Sequence, residues 1–121
     1  MSDDALDHAA RTAADLSFDS VMITDANNTI LYVNEAFENL TGYKRTDVIG
    51  QTPGFLQGEA TDASVIERLT ADLKAGSNFE GRAINYAADG SPFVMHWRVA
   101  PVTNDSGTVS HYVAVQRILS Q

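Results

Sequence analysis

β-Branched and aromatic residues gather in two short runs near the start of the chain, Ser20-Val21-Met22-Ile23-Thr24-Asp25 and Thr29-Ile30-Leu31-Tyr32-Val33. Ala26-Asn27-Asn28 separates them, and the pattern predicts two strands of a hairpin. Upstream, Leu6, Ala9, Ala10, Ala13 and Leu16 recur at helical spacing within an alanine-rich segment from about Asp3 to Leu16. This predicts a short amphipathic helix whose apolar stripe needs a surface to cover. Downstream, Asn34 is placed to cap a helix running to about Leu40, with Phe37 and Leu40 buried and Gly42 ending it. A turn of helix is expected from Arg45 to Ile49. Gly50, Pro53, Gly54 and Gly58 then disfavour any long regular helix. Thr61 or Asp62 caps the next helix, which sets Val65, Ile66, Leu69 and Leu73 on one face and has Gly76 after its end. Three further strands are expected, Phe79 to Tyr86, Pro92 to Val102 and Val109 to Ile118, with turns at Asp89-Gly90 and Asp105-Ser106-Gly107.

Two strands, several short helices and three strands in meander describe an α+β fold: a five-stranded antiparallel sheet with helices over one face. Strand alternation divides the residues between the two faces. Phe93, Met95, Trp97 and Val99 share one side, and Val94, His96 and Arg98 share the other. In the last strand Tyr112, Ala114 and Gln116 go together.

With 121 residues the chain fits one domain, and 44% hydrophobic content suits a globular core. The formal net charge of −8 repels phosphate backbones and anionic lipid, which argues against nucleic-acid and membrane-surface binding. Cysteine is absent, so disulfides, thiolate nucleophiles and thiolate metal sites are excluded. No apolar run is long enough to span a membrane and the start is acidic, which leads to the expectation of a cytoplasmic protein or the cytoplasmic module of a larger one. His8, His96 and His111 form no convergent metal set, and Asp3, Asp4, Asp7 and Asp15 read as solvated charge on the leading helix. No nucleophile with a base, no carboxylate pair and no glycine-rich phosphate loop is visible, so an enzyme is not expected.

Val33-Asn34-Glu35-Ala36-Phe37, Leu40-Thr41-Gly42-Tyr43, Val48-Ile49-Gly50, Asp89-Gly90-Ser91-Pro92-Phe93 and Ala100-Pro101-Val102 together resemble the PAS sensor domains. The resemblance divides the chain into a leading helix (1–17), expected to cap or dimerise, and a PAS-like domain (18–119). Gly50 to Gly58 resembles the G-x-N-C-R-F-L-Q-G segment of the light-oxygen-voltage (LOV) subclass, with Pro53 at the cysteine position and Thr52 and Gly54 beside it. It implies a flavin pocket that cannot form a cysteinyl adduct. Asn85 would meet the pyrimidine edge, Gln116 the carbonyl beside N5, and Gln57 the ribityl or phosphate side. Thr24, Thr52, Pro53, Leu56, Met95, Trp97, Val99 and Ala114 would line the pocket, with Met22 beside Thr24. Trp97 could also quench the flavin's excited state by electron donation.

The family's second pyrimidine-edge asparagine falls at Met95, and its two phosphate-binding arginines fall at Gly54 and Thr70. Two lost charge-assisted hydrogen bonds, at about 1.5–3 kcal/mol each, argue against FMN held in the usual way. FAD, which can place its adenine outside the pocket and gain stacking area there, ranks ahead of FMN, with another small planar ligand or an empty pocket as the third reading. Haem is not expected, since no histidine occurs from Thr61 to Ala75. The expected function is a cytoplasmic sensory domain acting on a downstream effector. The alternative is a cofactor-free module that forms a homodimer through the leading helix and the outer sheet face.

Overall fold

The computed structural model describes residues 3–120, with side chains from His8 to Leu119. A leading helix α1 (Asp3–Leu16) precedes the hairpin β1 (Ser20–Asp25) and β2 (Ile30–Val33). Three helices follow, α2 (Glu35–Thr41), α3 (Arg45–Val48) and α4 (Ala63–Lys74), with a 3-10 turn at Pro53–Leu56 between the last two. The chain then runs through β3 (Phe79–Tyr86), β4 (Pro92–Thr103) and β5 (Val109–Ser120). The five strands form one antiparallel sheet in the order β2-β1-β5-β4-β3.

Local chemistry sets the boundaries. In the first hairpin, Asp25 Oδ1 accepts from the backbone N–H groups of Asn27 and Thr29, both at 2.9 Å, and Asn28 adopts φ 66°. Aspartate and asparagine suit such a turn because their short polar chains bond locally and tolerate the left-handed region. Helix α2 begins where Asn34 Oδ1 accepts from Phe37 N–H and ends at Gly42 with φ 78°. Helix α4 is capped by Asp62, whose carboxylate accepts from Ser64 N–H. At Gly58 a Cβ would lie 2.3 Å from the Tyr86 ring, so the chain approaches β3 here only because the side chain is a hydrogen. Tyr86 Oη also accepts from Ala60 N–H at 2.8 Å, and Thr61 donates to Ile84 O at 2.7 Å. These contacts moor the segment before α4 to the edge strand.

The main core lies between the inner sheet face and helices α2 to α4. Met22, Ile30, Val33, Phe37, Val48, Leu56, Phe79, Phe93, Met95 and Trp97 are all buried in it. On the outer face a smaller cluster joins Ala14 of α1 to Val21 and Tyr32. The Arg11 and Arg45 guanidinium groups lie 5.7 and 5.2 Å from the Tyr32 ring centre.

The apolar stripe expected on α1 does not lie against the sheet. Ala9, Ala10, Ala13 and Leu16 are exposed, and the contact runs instead through Ala14 and Arg11. Leu6 falls outside the described side chains. Alanines occur all round this helix, so their spacing marks no single stripe, and a tyrosine ring on the sheet selects the side that brings up an arginine stem.

Asn34 ties these layers together and is 1% exposed. Its Oδ1 accepts from Val21 N–H at 2.9 Å and Phe37 N–H at 3.0 Å. Its Nδ2 donates to Ala14 O at 2.7 Å and Asp19 O at 3.0 Å. Asn34 N–H also donates to Val21 O at 3.2 Å, so the side chain adds one more rung to the β1–β2 ladder.

Candidate functional site

Alternation along β1, β3, β4 and β5 sends Met22, Thr24, Asn85, Met95, Trp97, Val99, Ala114 and Gln116 to the inner face. There they wall a cavity of about 360 Å³, closed on the other side by α4 and by the 3-10 turn. The cavity size lies in the range of about 300–1,000 Å³ common for small-molecule sites. Ile66, Leu69 and Leu73 of α4 and Leu56 of the 3-10 turn face the sheet across it. Its rim is formed by Ala26, Asn27 and Asn28 of the first hairpin turn, Gly54 and Gln57, and Thr70 and Lys74 of α4.

Two buried amides set the polarity of the wall. Gln116 is 4% exposed, and its Oε1 accepts from the Ser20 hydroxyl at 2.7 Å. β1 and β5 bring the two together, since Ser20 pairs with Gln116 in their ladder. With the carbonyl end engaged, the NH₂ end of Gln116 is the part free to donate, and it makes no hydrogen bond among the described residues. Asn85 is 3% exposed, and its one side-chain hydrogen bond among the described residues is a long 3.4 Å bond from Nδ2 to Ala83 O. Its carbonyl oxygen has no hydrogen-bond partner among the described residues. Buried amides ordinarily satisfy their donors and acceptors, so these groups are suited to a ligand edge carrying both. The hydroxyl of Thr24 is already engaged with Asp25 O at 3.1 Å.

Of the residues nominated from the sequence, Met22, Thr24, Pro53, Leu56, Gln57, Asn85, Met95, Trp97, Val99, Ala114 and Gln116 line this cavity. Thr52 does not. It is exposed and sits at the entry to the 3-10 turn, which carries Pro53 and Leu56 to the wall and leaves Thr52 behind. Trp97 packs on Phe79 with ring centres 5.1 Å apart. His96 lies on the outer face, where its Nε2 is 2.7 Å from Glu80 Oε2, and this bond together with the Arg98 charge holds the Glu80 carboxyl below its ordinary value. Sequence reasoning missed Ser20 as the partner of Gln116, and Asn27, Asn28 and Lys74 at the rim. Lys74 follows Thr70 by four residues, one helical turn, which is the spacing that could have found it.

A family model for the PAS domain matches residues 19–117. The chain is a PAS domain. Its relatives place it in the LOV class. It is 35% identical over 108 residues to phototropin-1A of Oryza sativa subsp. japonica, covering 89% of this chain and 12% of that protein. It is 36% identical over 110 residues to blue-light-activated histidine kinase 2 of Erythrobacter litoralis (strain HTCC2594), covering 91% of this chain and 30% of that protein. Among solved structures, a light-oxygen-voltage domain studied with a flavin analogue superposes with a TM-score of 0.84 at 32% identity, covering 98% of this chain and 87% of that one. The LOV domain of the Erythrobacter litoralis EL346 blue-light-activated histidine kinase superposes at 0.80 with 35% identity, covering 85% and 97%. This PAS domain thus spans less than a third of the two curated relatives, and the module it shares with them is sensory and not enzymatic. Among the described residues, no helix is long and apolar enough to cross a membrane.

Proposed function

We propose that this PAS domain is a sensor that holds a flavin non-covalently in the cavity between the sheet and α4. The observation that carries the reading is the pair of buried amides, Asn85 and Gln116, whose unused donor and acceptor face the cavity. Met22, Leu56, Met95, Trp97 and Val99 supply the apolar walls that a planar ring system needs. The similarity to blue-light-activated kinases and to a light-oxygen-voltage domain studied with a flavin analogue points the same way. A bound flavin would supply light absorption and redox chemistry. The chain has no cysteine, so its response would use redox state or hydrogen bonding rather than a thiol adduct. Ser20 would keep the Gln116 amide turned towards the ligand, and β5 would carry a change at that amide into the sheet centre.

The cavity takes the ring and ribityl chain that FMN and FAD share, so titration with each decides between them. Refolding the protein with excess FMN or FAD should give absorbance near 450 nm that stays with the protein through gel filtration. Its absence with both would refute the flavin reading and favour a cofactor-free module.

Residues 1–17 are proposed as a docking element for a second copy of the chain. Leu16 and Phe18 are 76% and 101% exposed, and Val102, Val115 and Leu119 are also exposed. Light scattering should report a dimer, and a monomer mass at high concentration would count against this assembly. A cytoplasmic location and a downstream effector complete the proposal.

A further inference from the structure

Across the cavity from the sheet lies a helix with no fully buried residue. Val65, Ile66, Leu69 and Leu73 of α4 pack against the core and stay half-buried. The attachments of α4 run along one edge. Thr61 Oγ1 donates to Ile84 O at 2.7 Å just before the helix, and Arg68 Nη1 donates to Glu80 O at 2.9 Å about two turns further on. Both carbonyls belong to β3, the edge strand and the element that α4 lies against most. The Arg68 guanidinium also sits 4.8 Å from the centre of the Phe79 ring, which packs on Trp97 of the cavity wall. Gly81 leaves room for this stack, since a Cβ there would come within 2.5 Å of Phe79 Cζ and 2.9 Å of Arg68 Nη2. The opposite edge of α4 has no such ties. Leu69, Thr70 and Leu73 line the cavity together with Asn27 and Asn28 of the hairpin turn, and among the described residues no hydrogen bond joins the helix to that turn.

We propose that α4 is a flap, fastened along β3 and free along the hairpin turn, whose free edge opens to let a ligand into and out of the cavity, and that Arg68 sets how often it opens. A helix held by half-buried apolar contacts and a few side-chain bonds opens at lower cost than the sheet beneath it, where every strand is laddered to a neighbour. Entry and exit through such a flap both scale with the fraction of time it stands open. A change in that fraction moves the two rates together and leaves affinity nearly constant. A residue that instead touches the ligand acts mainly on its exit. The two roles of Arg68, gate and contact, are therefore separable by kinetics.

Amide exchange of the ligand-free protein is the first test and needs no ligand. Exchange should run at least about tenfold faster across α4 than across β4 and β5, and Arg68→Met should speed α4 by about a further fivefold while leaving β5 unchanged. The second test rests on the flavin reading above and uses riboflavin as the probe. In stopped-flow fluorescence, Arg68→Met should raise association and dissociation rates together by about fivefold and keep Kd within about twofold. Because the chain has no cysteine, thiols placed across the free edge by Asn28→Cys with Thr70→Cys can be joined selectively by a flexible bis-maleimide. Linking after loading should slow riboflavin release at least about tenfold relative to the unlinked double variant. Protection of α4 equal to that of β5, a change in dissociation alone, or release unaffected by the link would overturn the flap. If riboflavin does not bind, the flavin reading fails and the exchange comparison alone decides the flap.

Discussion

Replacing Asn34 by alanine removes a side chain that bonds four backbone groups, one each in α1, β1, α2 and the α1–β1 link, and the loss can be worked out bond by bond. The cap on Phe37 N–H is worth about 1 kcal/mol. Val21 N–H, 2.9 Å from Asn34 Oδ1, would be left buried without a partner at about 1–3 kcal/mol. The carbonyls of Ala14 and Asp19 would each lose about 0.5–1.5 kcal/mol, nearer the low end for Ala14 because Ser17 N–H still donates to it at 3.2 Å. Together these give roughly 3–6 kcal/mol, against a total of about 5–15 kcal/mol for an ordinary domain. Asn34→Ala should therefore lower the melting temperature by about 10–20 °C and shift the urea midpoint, with the slope of the transition unchanged. Two of the four bonds hold the end of α1 and its link to β1, so amide exchange in α1 should accelerate more than exchange in β3 and β4. A loss below about 1 kcal/mol, or exchange rising equally everywhere, would refute the view of Asn34 as the tie between the leading helix and the sheet.

Gly58→Ala should destabilise the domain by about 1–3 kcal/mol, because the added Cβ would meet the Tyr86 ring at 2.3 Å; in the double variant Gly58→Ala, Tyr86→Ala the two costs should be strongly non-additive, and simple additivity in chemical denaturation would count against the clash. Ser20→Ala should cost about 1–2 kcal/mol and release the Gln116 amide to rotate, which a shift in the fine structure of the bound flavin's absorption band would report; an unchanged spectrum with unchanged stability would contradict the role given to Ser20. The pH profile follows from three exposed carboxyls held below their ordinary values: Asp62 by its bond from Ser64, Glu80 by its bond from His96, and Asp89 by its bond from Ser91. Depressed folded-state values mean that their contribution is complete above the unfolded values and is lost as pH falls through the folded ones. The melting temperature should thus stay level from about pH 7 to 5 and fall below about pH 4, and a rise there would contradict the assignment.

The order of elements could be read from the sequence because its punctuation is local. Asn34 and Asp62 each bond an N–H two or three residues on, Gly42 takes the left-handed cap, and the strands alternate cleanly from Phe79 to Val99. Alternation split the strand residues between two faces, and the resemblance to LOV domains said which of the two lines the cavity. What escaped depended on positions that pattern does not fix. The buried side of α1 was decided by Tyr32 on a different strand, and Thr52 was turned off the wall by the entry geometry of the 3-10 turn. Ser20 and Gln116 meet across a separation of 96 residues, and only the β1–β5 register brings them together. Lys74 drew no notice because a lysine ending a helix is ordinary, and only the folded chain sets it at the rim of the cavity.

The strand order also bears on how this domain is made. β5 comes last in the sequence and lies in the middle of the sheet, between β1 and β4. Until Val109–Ser120 inserts, the early hairpin and the β3–β4 pair each expose an open edge, a state prone to pairing with other chains and slow to resolve because the closing contacts are distant in sequence. Ala114 and Gln116 arrive with that strand, so the cavity has no complete wall beforehand. A molecule bound there can be captured only by a chain whose sheet has closed, so binding reports the completed fold.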